Sequence, residues 1–457
     1  MKRWSLLWIG ILLCGTSGWS GCNASVPSVA LPVKETSSTT GQSLPREYPV
    51  TFANCASAGC HGGSVRQAAG WENAASIWQA NDPHRQAFVV LYTERAVQMV
   101  KRLEQWAEDS PVNEQEYLFV LEQRCTGCHA VHESTESASK AEQYALGVTC
   151  TACHGEATAW GHAHYHAGWR DEQGKLIPSD ATAGFQDLQE LPIRAETCVK
   201  CHLGPGTGLG RQPHDMNHDL IAAGHPRLNF EFNAYLRALP AHWNVSQDRS
   251  RYEKRTADAS AKSTFHFDCW LVGQQALAKQ RERLQAERAK LDNAFELSQF
   301  ECYQCHHAYA AALTSDEDGL DSTVNNWRQN LSSSRSQPLA SSQNFVAHVL
   351  HAADLPLRDP AGQRELLRSL FTSATPRSFD DVLCGLLAVD AWLADQPAAE
   401  YSELRERAEN LRTALQQGFP TQMQATVYDS PASFRLDHSS IEKAWQAIGE
   451  QLSEQQP

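Results

Sequence analysis

Cys125-Thr-Gly-Cys128-His129, Cys150-Thr-Ala-Cys153-His154 and Cys198-Val-Lys-Cys201-His202 are three copies of one pattern, and Cys302-Tyr-Gln-Cys305-His306 is a fourth. Cys-x-x-Cys-His is the attachment signature of a c-type haem. Two thiols form thioethers to the vinyl groups, and the adjacent histidine is thereby held against the iron as an axial ligand. With 14 Cys and 19 His in 457 residues a shuffled chain would yield roughly 0.02 such matches, so four are not chance. Zinc is the rival, because Cys-x-x-Cys pairs also build tetrahedral sites. A zinc ribbon, however, does not require histidine directly after every second cysteine.

Upstream, Cys55-Ala-Ser-Ala-Gly-Cys60-His61 has the same ending with a four-residue spacer. A bulged loop still lets both sulfurs reach the vinyls, so a fifth haem is expected here. The alternative is a Cys55–Cys60 disulfide with His61 on the surface. Five proximal histidines leave fourteen others, and Met is scarce at four residues. Bis-histidine ligation is therefore expected, which lowers the potential relative to His/Met. His84 follows Asp82-Pro83 and opens a segment to Arg102 in which Phe88, Leu91, Tyr92, Ala96, Met99 and Val100 recur at helical spacing. A polar cap is one reading of His84, and the need for second axial ligands makes it a distal-ligand candidate. His162, His164 and His166 alternate after Trp160, and only one is expected to reach an iron. His218 and His225 would share a face on one helix, but Gly224 and Pro226 suggest a break between them. Arg227 is a candidate propionate partner. His307 cannot share the iron of His306; His242 and His266 stay unassigned. The glycine-dense loop 203–210 lacks the Lys-Ser/Thr of a phosphate loop, and close approach of backbone to a haem is preferred.

These motifs resemble the cytochrome c-554 family of multihaem cytochromes, grouped with hydroxylamine oxidoreductase-like proteins that stack haems in close pairs. The likeness rests on Asp82-Pro83-His84, on Gly147-Val148-Thr149 leading into Cys150–Gly155, and on Trp160-Gly-His-Ala-His164. It rests also on Ala223-Gly224-His225-Pro226-Arg227 and on Glu301-Cys302-Tyr303-Gln304-Cys305-His306-His307. It spans roughly residues 50 to 330. The resemblance implies His84, His164 and His225 as distal ligands, with His218 a fourth. The Cys55–His61 spacer departs from the plain pattern, and no residue carries over the tyrosine–haem link of the oxidoreductases.

At the N-terminus Lys2 and Arg3 precede an apolar run from Trp4 to Leu13 and small residues up to Gly21-Cys22. That is an export signal over 1–21, too short to span a bilayer. Ser20-Gly21-Cys22 looks like a lipoprotein processing site with Cys22 lipidated, although Trp19 stands where a branched aliphatic residue is usual. Export agrees with haem c, which bacteria attach outside the cytoplasm. Residues 22–49, rich in Ser, Thr, Pro and Gln, read as a flexible tether.

Past the tether, 50–310 is expected to be a multihaem domain and 311–457 a loop and helical region. Trp270, Leu277, Leu284 and Leu291 repeat every seven residues, predicting a long helix from about Phe267 to Phe300 with a narrow apolar seam. Gln274, Arg281 and Arg288 oppose a dimer zipper. Further helices are predicted over 378–395 and 400–417, the second with Leu404, Ala408, Leu411 and Leu415 on one face. His348 and His351, three apart, could share a helix face and supply a ligand, but surface placement is preferred. Cys269 and Cys384 either pair or remain separate thiols.

The expected fold is mainly α with little sheet, haems forming much of the core and Trp side chains packing on porphyrin. A net charge of −14 opposes nucleic-acid binding and adhesion to anionic lipid. The expected function is electron transfer by an exported, periplasmic, lipid-anchored cytochrome with haem c at four or five sites and redox partners linked to membrane quinol. The alternative is an enzyme acting on a small nitrogen or sulfur oxide at one open iron, flanked by His162, His166 or Arg227.

Overall fold

The computed structural model describes residues 52–66, 69–130, 144–172, 174–204, 215–226, 228, 230–254, 264–290, 296–299, 359–373, 379–417 and 438–454. The stretches read above as signal and tether, together with Cys302, Cys305, His306, Arg227, His307, His348 and His351, lie outside the described residues. The protein is mainly helical. Among the described residues the only extended pairing is an isolated bridge between Arg170 and Leu176.

Helix α1 (Ala74–Asn81) buries Ala75, Ile77 and Trp78, and ends at Asp82. Asp82 then caps the turn Pro83–Gln86, its carboxylate accepting from the His84 amide at 2.9 Å. The predicted continuous helix from His84 to Arg102 is instead two tight turns, Pro83–Gln86 and Val89–Tyr92, followed by α2 (Glu94–Leu103). Thr93 makes the break: its backbone is extended and its hydroxyl accepts from the Ala96 amide, the geometry of a helix N-cap. Helical spacing alone does not reveal a cap inside an apolar run. Phe88, Leu91 and Val100 nevertheless share one core with Tyr117, Val120, Leu121 and Tyr144. Helix α3 (Glu114–Arg124), capped by Asn113, runs directly into the turn Thr126–His129.

Helix α4 (Leu191–His202) ends in the third motif. Next come α5 (His218–Ala223), α6 (Phe232–Ala238) and α7 (Val245–Lys254). Gly224 takes a left-handed φ of 116° after α5, so the predicted break falls before His225.

Helix α8 (Phe265–Arg288) is shorter than predicted, and its seam is not narrow. Trp270, Leu277 and Leu284 are buried as expected, but so are Phe267, Cys269, Leu271, Val272, Gln274 and Arg288. A helix enclosed on most sides loses the amphipathic contrast that a heptad reading relies on. Helices α4 and α6 cover one side of it, and the helix Phe379–Ala394 the other. The approach to α6 is close: a Cβ on Gly273 would stand 2.5 Å from Cβ of Phe232.

Helices α9 (Pro360–Ser373), α10 (Phe379–Ala394), α11 (Ser402–Gln417) and α12 (His438–Glu454) enclose a core that also includes Phe267, Trp270 and Leu271 of α8. The two helices predicted here coincide with α10 and α11, and Leu404, Ala408, Leu411 and Leu415 are buried. Cys269 is wholly buried and is not joined to Cys384.

Asp395, just past α10, caps α8 from across the interface: its Oδ2 accepts from the amides of His266 and Phe267 at 2.8 and 3.0 Å. Burial pushes its carboxyl up to about 7, and burial likewise pushes Glu231, the cap of α6, up to about 7. For an acid raised on folding, the stabilisation is complete below the unfolded pKa of about 4 and is lost as pH climbs through the folded value. Thermal melts should therefore show the protein losing stability between about pH 4 and 7. Asp395→Asn, which keeps the capping oxygen but cannot ionise, should flatten part of that slope.

Candidate functional site

The motifs converge although they are far apart in sequence. The turn Thr126–His129 packs against α4, the turn Cys150–His154 does so too, and the turn Phe52–Cys55 packs against Cys150–His154. The thiols of Cys128 and Cys201 hydrogen-bond to each other. Cys153 lies close enough to Cys198 and Cys201 to feel their charge. Burial pushes the thiols of Cys125, Cys153 and Cys198 up to about 12. Among the described residues no three His, Cys, Asp or Glu side chains are grouped to hold a metal ion. Cys55 and Cys60 are not joined as a disulfide.

Three motif histidines each face a histidine from a remote segment. The His61 and His164 ring centres are 6.1 Å apart with planes 20° from parallel. His202 and His84 are 6.2 Å apart at 88°, and His129 and His225 are 6.2 Å apart at 84°. Two metal–nitrogen bonds of about 2.0 Å, plus roughly an ångström from each nitrogen to its ring centre, span about 6 Å. The spacing is that of two imidazoles sharing one metal.

The hydrogen bonds on these rings point the same way. Nδ1 of His61 contacts Trp71 O at 2.5 Å, that of His129 contacts Ala87 O at 2.6 Å, that of His164 contacts Gly161 O at 3.0 Å and that of His225 contacts Pro226 O at 2.9 Å. A carbonyl can only accept, so the proton sits on Nδ1 and the lone pair is left on Nε2, the arrangement of metal-binding histidine. Asp82 does the same for His84, at 2.8 Å. Burial lowers His129, His164 and His225 and pushes His202 and His154 down to about 4, which keeps these rings neutral at pH 7 as metal ligation requires. Burial opposes the charged form of His84 too, but the hydrogen bond and charge of Asp82 outweigh it and hold its pKa above the usual value. These residues fit a haem iron between each pair, with the flanking cysteines supplying the thioethers.

Local backbone fixes the remote partners. Gly147 has φ of 72°, and a Cβ there would stand 2.5 Å from the His84 carbonyl oxygen. The neighbouring Val148 amide donates to that same carbonyl at 3.0 Å, while Trp78 Nε1 donates to Val148 O at 3.2 Å. Only glycine permits this approach. Of the three alternating histidines, His164 is half-buried and turned to His61, whereas His162 and His166 are exposed. His218 opens α5, its amide donating to Glu296 at 2.7 Å, and meets none of the described motif histidines at ring-pair spacing. His154 has Phe185 as a ring neighbour, 6.4 Å away. His242 enters the same neighbourhood, feeling the charges of Asp82, His84, Arg194 and His61. Nothing in Leu239-Pro240-Ala241-His242-Trp243 marks it in the sequence, because its placement depends on how α6 and α7 dock.

Residues 54–155, which contain the Cys55–His61, Cys125–His129 and Cys150–His154 segments, match the family model for cytochrome c554 and c-prime. No curated protein and no solved structure matches the chain.

Proposed function

We propose that this chain, a haem-binding electron-transfer cytochrome of a multihaem cytochrome c family, relays electrons through five covalently bound haems with mainly bis-histidine ligation. The observation that carries the reading is the set of three histidine pairs at 6.1–6.2 Å, each joining a motif histidine to a remote one. His61, His129 and His202 are the proximal ligands, and His164, His225 and His84 their distal partners. His154 is a fourth proximal ligand; His306 is the fifth, with His218 the candidate for its distal side. Bound there, haem supplies one-electron redox chemistry. The protein's own part is to present the imidazoles, fix the rings of His61, His84, His129, His164 and His225 through Nδ1 and keep the sites in a contiguous row.

Contiguity supports transfer between sites: the segments of His61, His154, His202 and His129 pack one on the next. The His61 end is the candidate port for a redox partner, because Cys60, Trp71 and Tyr165 are exposed around it, Trp71 at 63 % and Tyr165 at 67 %. Export by the signal over 1–21, lipidation at Cys22 and a tether over 22–49 would place that port near a membrane surface, within reach of quinol-linked partners.

Redox titration of the holoprotein tests the reading. Every haem should be reduced and reoxidised reversibly, with no catalytic current on adding nitrite or hydroxylamine; sustained turnover of either would favour the oxidoreductase instead. In EPR the two nearly perpendicular ring pairs should give highly anisotropic low-spin signals. The near-parallel pair His61/His164 should give an ordinary rhombic one.

A further inference from the structure

His154 differs from the other described motif histidines. Among the described residues no second histidine faces it at the 6.1–6.2 Å ring spacing seen for His61, His129 and His202. Phe185, its ring neighbour, has no donor atom. Phe185 is carried beside the backbone of His154 itself, since the Gln186 amide donates to His154 O at 2.9 Å, and it packs with Trp160 and Trp169 at 5.0 and 5.2 Å. It is a wall of the site and cannot complete a metal's coordination.

We propose that His242 is the second axial ligand of the iron held by His154. This rests on the multihaem reading above and goes beyond it by naming a residue that no motif marks. Its position is pinned. Arg194 on α4 grips Asp248 of α7 with two hydrogen bonds, at 2.8 and 3.0 Å, and lies over the Trp243 ring at 5.7 Å. The connection from α6 to α7, which includes His242, is thus fastened to the helix against which the Cys150–His154 turn packs.

Two further observations point from His242 to a metal. Its Nδ1 is sealed from solvent and has no hydrogen-bond partner. A buried imidazole nitrogen left this way is costly unless something takes its lone pair or proton. Secondly, His242 stands within electrostatic reach of His154. The same relation links His164 to His61, His202 to His84 and His225 to His129, the three pairs whose rings face each other at metal-sharing distance.

The test uses full-length holoprotein, with haem number fixed first by intact mass. His242→Gly should keep every haem and convert one from low to high spin. Its reduced form should bind one more carbon monoxide per molecule than the parent, and added imidazole should reverse both changes. His242→Met, which keeps a ligand, should stay low-spin and raise the potential of one haem, as His/Met ligation does. His266→Gly is the control. His266 is another buried-side imidazole of this region, already hydrogen-bonded through Nδ1 to Asn233 at 2.9 Å, and its loss should leave the spin states unchanged. The proposal is overturned if the haem number is intact and His242→Gly has the same count of high-spin haems as the parent, or if His242→Met leaves all potentials unmoved. A parent protein without covalent haem would instead overturn the multihaem reading beneath it.

Discussion

Alanine at both Cys198 and Cys201 is expected to strip one haem from the holoprotein and to unfold the haem-bearing region well below the parent's melting temperature. These cysteines close α4, which packs against two other motif turns and against α8. Leu191, Ala195 and Val199 of the same helix sit in a core with Phe230, Phe232 and Val272. His202 packs on Phe230 and Tyr235, with ring centres 5.0 and 4.9 Å apart. Removing a porphyrin from this junction deletes more apolar surface than any side-chain truncation. The loss of stability should therefore exceed the roughly 2–5 kcal/mol typical of cutting one large core side chain to Ala. Intact mass should fall by one haem and haem absorbance by about a fifth for a protein with five sites. Helical circular dichroism during denaturation should report the fall in stability. Unchanged haem content would refute the assignment of Cys198 and Cys201.

Arg288→Ala is expected to be nearly as damaging, through charge. Arg288 lies at the end of α8, about nine-tenths buried, and its guanidinium pairs with both Asp215 and Glu296, the latter at 3.1 Å. Glu296 in turn accepts from the His218 amide. Taking away the cation leaves two buried carboxylates facing each other, and breaking one side of a buried pair costs about 3–5 kcal/mol. Burial already holds the Asp215 carboxyl above its usual pKa, against the pull of Arg288. In the mutant it should rise further. Because an acid raised on folding is best tolerated protonated, the mutant should regain part of its stability as pH falls toward 5 and lose it as pH rises. Urea denaturation across that range checks this; a deficit independent of pH would show that lost packing, not charge, is responsible.

The chemistry was readable in the sequence because thioether attachment needs two cysteines and a histidine within five residues. That is local information. The pairing of rings was not readable: His84 meets His202 and His129 meets His225 across long stretches of chain, and only the docking of α4 and α5 decides it. His84 entered as a ligand candidate from the need for second axial ligands and from the family likeness, and His164 and His225 were specified by the likeness. Local pattern singled out none of them as a partner for a particular iron. The break at Thr93 was hidden because the apolar residues on either side of it still fall in one core. The seam of α8 misled for the opposite reason. Gln274 and Arg288, read as opposing a dimer zipper, are themselves enclosed: the first is covered by packing and the second is neutralised by Asp215 and Glu296. Leu404, Ala408, Leu411 and Leu415 were legible because α11 buries a single face.

The most direct measurement is the intact mass of the mature protein under denaturing conditions. Thioether-bound haem survives denaturation, so the polypeptide should carry five haem increments, or four if the Cys55–His61 loop stays bare, and the sample should be red. A colourless protein with the mass of bare polypeptide, or one that surrenders its metal to a mild chelator, would contradict the account.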